Sequence, residues 1–287
     1  MRIGRVTTVV MSRNRRAELL QSLAYHEDPV ILVDNGSDDA TAEAVERLFP
    51  HIQVVRLAVN LGAPARNLGV RHATTPYVAF ADDDSWWAPG ALDDAAALLD
   101  EHRHLGLLAG RILLGRENIE DPLCRLMEQS PLEAGSDTPG KPVLGFAACG
   151  AIVRREAFLA VGGFDPVVFF GGEEDRVALD LAAAGWQLRY VPDLLVHHHP
   201  SNIRQSGPTQ RARINRNALL TAVMRRPWAV VARHLSAMAS EDGVRRLAPA
   251  VRRLPAALAR RRRLPAWLEE ELRELEAWSE PEVSRHR

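Results

Sequence analysis

Three adjacent carboxylates, Asp82, Asp83 and Asp84, close the apolar run Tyr77–Ala81. Neighbouring carboxylates repel one another, and each does better facing water or a cation. Hard divalent ions such as Mg²⁺ and Mn²⁺ take oxygen ligands, typically one or two carboxylates plus phosphate oxygens. A second acidic set, Glu173, Glu174 and Asp175, follows the aromatic pair Phe169–Phe170 and a Gly171–Gly172 hinge. A carboxylate in that setting suits a general base, because desolvation and nearby negative charge raise its pKa. The third cluster is His197-His198-His199, and neutral imidazole is a common ligand for Mn²⁺-class ions. On a strand, His197 and His199 would share one face and His198 the other. Plainer readings exist. Asp84 or Ser85 suits the N-cap of a helix over 89–99, and acids in a first helical turn gain about 0.3–1 kcal/mol each from the dipole. The dipole does not account for the double-glycine hinge.

The elements around these clusters alternate. Val6–Met11 reads as a first strand and leads into the polar Ser-Arg-Asn-Arg turn; Glu18–Tyr25 reads as a helix. Pro29–Val33 is a second strand, ending in Asp34-Asn35-Gly36-Ser37-Asp38, with a helix over Ala40–Phe49 capped by Ser37 or Asp38. Ile52–Leu57 is a third strand running into Asn60-Leu61-Gly62, and Ala63–His72 is a helix carrying Arg66 and Asn67. This βαβαβαβ order predicts a mainly parallel sheet with helices on its faces. In such sheets ligands bind beyond the carboxyl ends of the strands, where Ser12–Arg15, Asp34–Asp39 and Asp82–Asp84 fall. Neither GxxxxGK[ST] nor GxGxxG follows the first strand, so phosphate would be held by metal and single side chains. Farther on, Leu105–Leu114 reads as a strand, 116–142 as an excursion, Val143–Arg154 as an apolar run with small residues, and Gln187–Tyr190 and Leu194–Val196 as short strands.

With 287 residues, 46% hydrophobic and 25% charged, the chain has the composition of a soluble globular protein large enough for a substantial core. The net charge of −1 conceals an asymmetry: residues 1–200 carry 18 Arg/Lys against 28 Asp/Glu, and residues 201–287 carry 18 Arg against 9 Asp/Glu. Cys124 and Cys149 are the only cysteines, without metal-ligand spacing, which fits a reducing compartment. No apolar stretch approaches the roughly 18–20 residues that span a bilayer. These features predict a cytoplasmic protein.

Residues 6–200 resemble a family 2 glycosyltransferase of the GT-A fold. The likeness rests on the Ser-Arg-Asn-Arg turn, DNGSDDAT (34–41), NLGAPARNLGV (60–70), FADDDS (80–85), GGFDPVVFFGGEED (162–175), AAAGW (182–186) and YVPDLLVHHH (190–199). It implies a nucleotide-sugar donor bound by Ser12, Arg13, Asp34, Asn35, Gly36, Ser37, Asp38, Asn60, Gly62, Arg66, Asn67, Asp82 and Asp83. The segment 82–84 corresponds to the family's DxD motif, with Asp82 beside ribose or metal and Asp84 on the Mn²⁺ or Mg²⁺ that bridges the diphosphate. The family's Glu-Asp pair falls at Glu173-Glu174, making Glu174 the implied base, or Asp175 if the register moves by one. The metal-proximal histidine is His198 or His197, with His198 favoured by its spacing after Pro192. The implied reaction is an inverting transfer to a carbohydrate or lipid-linked acceptor.

The predicted division is a catalytic domain over 1–203, with a nucleotide-binding half over 1–85 and an acceptor half over 86–203, followed by a basic helical extension over 204–287. Residues 201–265 hold 15 Arg and 2 acids, with helices expected at Ile214–Met224, Trp228–Ala239 and Val244–Leu258 and an acidic final helix over Pro265–Trp278. Such helices can lie on the inner face of the plasma membrane, bind an anionic lipid-linked acceptor, or dock on the acidic catalytic domain. No nucleic-acid motif is present. Two rivals are a sugar-nucleotide pyrophosphorylase, which would carry a glycine-rich basic loop after the first strand, and a catalytically idle nucleotide-sugar sensor.

Overall fold

The computed structural model describes residues 4–27, 29–133, 138–200, 208–238 and 250–285, with side chains omitted at 208–209 and 279–285. Strands β1 (Val6–Ser12), β2 (Val30–Asp34), β3 (Gln53–Arg56) and β4 (Tyr77–Asp82) alternate with helices α1 (Arg16–Ser22), α2 (Thr41–Leu48) and α3 (Ala65–His72). They pair in parallel in the order β3-β2-β1-β4. The sheet continues through β9 (Ala151–Arg154), β6 (Leu105–Leu114) and β10 (Gln187–His198) to the edge strand β5 (Ser85–Trp87). Strand β9 runs antiparallel to both β4 and β6, while β6 and β10 are again parallel. The two-residue strands β7 (Ile119–Glu120) and β8 (Lys141–Pro142) pair with β6 and β10.

Alternation along the strands divides the core. Val9, Ile31, Val33 and Phe80 point into the layer beneath α3 and α4 (Ala91–Glu101); Val10, Val30, Leu32 and Ala81 point toward α1 and α2. Because both faces are covered, these strands read as continuous apolar runs. Phe80, Phe158 and Phe164 form an aromatic triangle with centroids 5.4–5.6 Å apart, each edge worth about 0.5–1.5 kcal/mol beyond area burial. It fixes the Phe164-Asp165 strap against β4.

Several boundaries differ from expectation. Ser85 lies in β5, its hydroxyl accepting from Asp82 N at 2.8 Å, so it closes a turn and does not cap α4, whose N-cap is Gly90. Helix α2 has Ala40 at its N-cap, and Asp39, not Ser37 or Asp38, accepts from Thr41 N at 3.1 Å. The expected strands 187–190 and 194–196 are one strand with a register break between Val191 and Leu195, where Pro192-Asp193 interrupts pairing. Of the run 143–154 only the last four residues are strand, preceded by a 3₁₀ turn at Ala148–Gly150. The excursion 116–142 contains helix α5 (Pro122–Glu128), with Asp121 capping Leu123 N at 2.9 Å.

After the short α6 (Arg155–Ala160) and α7 (Glu174–Ala183), the C-terminal part is helical: α8 (Pro208–Arg225), α9 (Trp228–Ala237), α10 (Leu254–Ala259) and α11 (Ala266–Arg285). Pro255 sits in the first turn of α10, where it needs no hydrogen-bond partner. Residues 244–249 of the expected helix 244–258 lie outside the described residues, and of the remainder Leu254 onward forms α10. Leu219, Leu220, Val223 and Met224 of α8 build an apolar cluster with Val167, Val168, Val230, Val231 and Ala257. Much of the basic charge is used internally. Arg225 pairs with Asp180, Arg226 binds Glu269 at 2.8–2.9 Å and Glu276 at 2.9 Å, and Arg260 lies 3.6 Å from Asp165. Docking on the acidic N-terminal part is therefore one role these arginines fill. No helix among the described residues is long and apolar enough to cross a membrane.

Candidate active site

Parallel register sets Ser12 opposite Asp34 and Met11 opposite Asp82, bringing three strand ends to one edge. At the β2 end, Asp34 accepts from Ser37 N at 3.0 Å. Asn14, at φ +55°, reaches across to take Asp38 N at 2.9 Å while donating its own N–H to Ser37 Oγ at 3.0 Å. Asn35 joins this end to the next loop: its Nδ2 donates to Asn60 Oδ1 at 3.1 Å and to Gly62 O at 3.2 Å, and its Oδ1 accepts from Leu61 N at 2.8 Å. Gly62 has φ +68°, and a Cβ there would lie 2.5 Å from Phe169 O, so only glycine fits. Arg13 is exposed.

The aspartates alternate. Asp83 turns back to β1, accepting from Ser12 Oγ at 3.3 Å and lying 3.4 Å from Arg15 Nε. Asp82 and Asp84 face the other way. Asp84 lies 3.2 Å from Arg15 Nη2 and 3.3 Å from His198 Nε2. The donor atoms of Asp82, Asp84 and His198 fall within 4.8 Å of one another. The pairing of β10 with β5 places His198 opposite Ser85, and His199 N donates to Asp84 O at 2.8 Å. His197 is on the opposite face, 3.2 Å from Asn118 Oδ1 and stacked on Trp86 with centroids 5.5 Å apart, so it stands apart from this cluster. The sequence places Arg15 only within the Ser12–Arg15 strand end; its contacts with Asp83 and Asp84 come from the fold.

The second acidic cluster opens α7, with Glu173 at the N-cap and Glu174 as the first helical residue. Glu173 is 2% exposed; its Oε2 accepts from Gly171 N and its Oε1 lies 3.8 Å from Arg66 Nη1. Burial first, and the charge of Glu174 second, push its carboxyl up to about 8 against the pull of Arg66. Glu174 Oε1 accepts from Ala148 N at 3.4 Å, and burial raises this carboxyl too. Asp175 lies at the surface; crowding that strips water from its carboxyl and the charge of Glu174 raise it to about 7.

Arg66 joins the two clusters. It is 2% exposed and donates to Asp82 Oδ1 at 2.5 Å, yet its Nε and Nη1 have no hydrogen-bond partner among the described residues. Buried guanidinium donors pointing between two acidic groups suit a multiply charged anion such as a diphosphate. Asn67 has another function: its amide is engaged by Phe164, through Nδ2 to Phe164 O at 2.8 Å and Oδ1 from Phe164 N at 2.9 Å, which ties α3 to the strap.

Residues 8–162 match the family described as Glycosyl transferase family 2. The chain is 29% identical over 215 residues to the N-acetylglucosaminyl-diphospho-decaprenol L-rhamnosyltransferase of Mycobacterium tuberculosis, covering 62% of this chain and 69% of that protein. It is 32% identical over 209 residues to the pre-mycofactocin glycosyltransferase of the same species, covering 69% of this chain and 44% of that protein. Among solved structures, the mannosyltransferase PcManGT from Pyrobaculum calidifontis in complex with GDP-Man and Mn²⁺ superposes with TM-score 0.59 at 23% identity, over 98% of this chain and 82% of that one. S. aureus TarS 1–349 in complex with UDP superposes with TM-score 0.55 at 21% identity, over 76% of this chain. The match spans 65% of the TarS chain, short of two thirds of its length. The chain belongs to glycosyl transferase family 2, a glycosyltransferase built on the GT-A fold.

Proposed function

We propose that this protein transfers a sugar from a nucleoside-diphosphate donor to an acceptor hydroxyl, inverting the anomeric centre with a divalent cation bound. The carrying observation is the meeting of the two acidic clusters at Arg66. Asp82, Asp84 and His198 offer two carboxylates and an imidazole, a mixed set that suits Mn²⁺ and also serves Mg²⁺. A cation held there would neutralise charge on the departing diphosphate. Arg66 contributes buried donors to the same group, and Asp34 with Ser37 and Asp38 forms the nucleoside end.

Glu174 is the general base. Its half-buried carboxyl opens α7, and the pKa raised by desolvation suits removal of a proton from an acceptor hydroxyl. That oxygen attacks the anomeric carbon from the face opposite the diphosphate, through an oxocarbenium-like transition state, so one displacement inverts the centre. Glu173 orients the site by holding Gly171 N and facing Arg66.

The acceptor is a saccharide or a lipid-linked saccharide, in line with a relative named for N-acetylglucosaminyl-diphospho-decaprenol. We assign the protein to the cytoplasm, with exposed Trp228, Arg262 and Arg263 available to the inner face of the plasma membrane. Calorimetric titration of UDP, GDP and dTDP with Mn²⁺, Mg²⁺ or EDTA tests it. One nucleotide should bind only with metal; binding of none under any condition would overturn the proposal.

A further inference from the structure

The turn that delivers Glu173 and Glu174 does not hold its shape alone. Phe169, Gly171 and Gly172 all lie at positive φ, +71°, +87° and +79°, and phenylalanine is disfavoured there. Such a turn persists only where its surroundings over-determine it. Here five consecutive carbonyls, from Val167 to Gly171, accept N–H groups from outside the turn. Arg253 Nη1 donates to Val167 O at 3.0 Å and to Val168 O at 3.3 Å. Ala63 N donates to Phe169 O at 2.7 Å. Asn217 Nδ2 donates to Phe170 O at 2.8 Å and to Gly171 O at 2.6 Å. Four of the five carbonyls are thus held by the C-terminal helices. Two guanidinium groups cover the rings as well, Arg253 over Phe169 at 5.5 Å and Arg213 over Phe170 at 5.3 Å.

We propose that Asn217 and Arg253 are positioning residues for the transfer reaction, setting the Val167–Gly171 backbone so that the carboxylates of α7 face the donor pocket. This rests on the transferase reading above. Asn217 is fully buried, and Arg216 donates to its Oδ1 at 2.9–3.0 Å, which leaves Nδ2 for the two carbonyls. Gly171 receives Asn217 on its carbonyl and gives its N–H to Glu173, so the restraint reaches the acid through a single residue. The extension has other anchors: Arg225 on Asp180, Arg260 beside Asp165, and the apolar cluster of Leu220 with Val167 and Val168. Removing the Asn217 amide therefore frees the turn without undocking α8. Misplacing a reacting group by about 1 Å costs on the order of 100-fold in rate.

The test compares Asn217→Ala and Arg253→Met, the latter keeping apolar cover over Phe169, with Arg233→Ala as a control that removes only a surface pair to Glu276. Turnover is read as nucleoside diphosphate released from UDP-N-acetylglucosamine, GDP-mannose or dTDP-rhamnose. Nucleotide affinity is read with the matching diphosphate and Mn²⁺, and hydrogen exchange follows residues 165–174. Both variants should lose about 10- to 100-fold in kcat, keep nucleotide affinity within threefold, and exchange faster at 165–174; the control should do none of these. Folded variants with kcat within twofold of the parent, or unchanged exchange at 165–174, would overturn the proposal. A parent protein that binds no nucleotide would instead sink the transferase reading, while exchange would still report on the restraint.

Discussion

Arg66 Nη2 meets Asp82 Oδ1 at 2.5 Å inside the protein, and the same guanidinium lies 3.8 Å from Glu173. One guanidinium therefore touches an acid from each cluster. Burial alone would lower its pKa, yet Asp82, Glu173 and Glu174 raise it overall. Replacing it with an uncharged residue takes the partner from half-buried Asp82, and removing one partner of a fully buried pair costs about 3–5 kcal/mol, which sets the upper limit here. Arg66→Met should show a loss up to that limit in urea denaturation and at least a 100-fold weaker affinity for nucleoside diphosphate with Mn²⁺. Arg66→Lys, which keeps charge without the planar fork, should recover most of the stability and little of the affinity.

The three aspartates should separate by function. Asp84 shares the cluster with Asp82 and His198, while Asp83 faces Ser12 and Arg15. Asp84→Ala should abolish metal-dependent nucleotide binding, and His198→Ala should weaken it about tenfold. His197→Ala, on the opposite face against Trp86, should leave affinity within twofold. Calorimetry with and without EDTA decides this. A deficit in His197→Ala equal to that in His198→Ala would contradict the geometry.

General-base catalysis contributes about 10²- to 10⁴-fold. Glu174→Gln should therefore lower turnover by at least 100-fold while nucleotide affinity stays within threefold. Asp175→Asn, at the surface, should cost less than fivefold. A larger loss in Asp175→Asn than in Glu174→Gln would reverse the assignment.

The element order through β4 and the site's strand ends were legible because both sheet faces are buried: Tyr77–Ala81 and Val30–Val33 read as uninterrupted apolar runs that stop at polar residues. His198 was separable from His197 by the strand's period of two. What stayed hidden depends on partners distant in sequence. Asn67 has the composition of a ligand residue but is saturated by Phe164, 97 positions away. Asn35 is engaged in joining two loops. The basic tail reads as a single charged surface, yet Arg225, Arg226, Arg253 and Arg260 each find a specific acid or carbonyl only when the helices fold back.

Glu173 should leave a mark on the pH dependence of stability. Its carboxyl lies near the ordinary 4.5 when unfolded and is raised to about 8 in the fold, by burial and then by Glu174. Between those values the native state holds a proton that the unfolded chain has released. Stability therefore falls as pH rises, because the unfolded state binds fewer protons. The contribution is complete below about pH 4.5 and lost as pH passes through about 8. A tenfold difference in proton affinity between the two states is worth about 1.36 kcal/mol, so the loss across this window is on the order of a few kcal/mol. Glu173→Gln, neutral at every pH, should match the parent in urea denaturation near pH 5 and exceed it near pH 8.5, without metal or nucleotide. Identical slopes in the two proteins would mean that Glu173 is ionised in the fold, with Arg66 outweighing the cost of its burial.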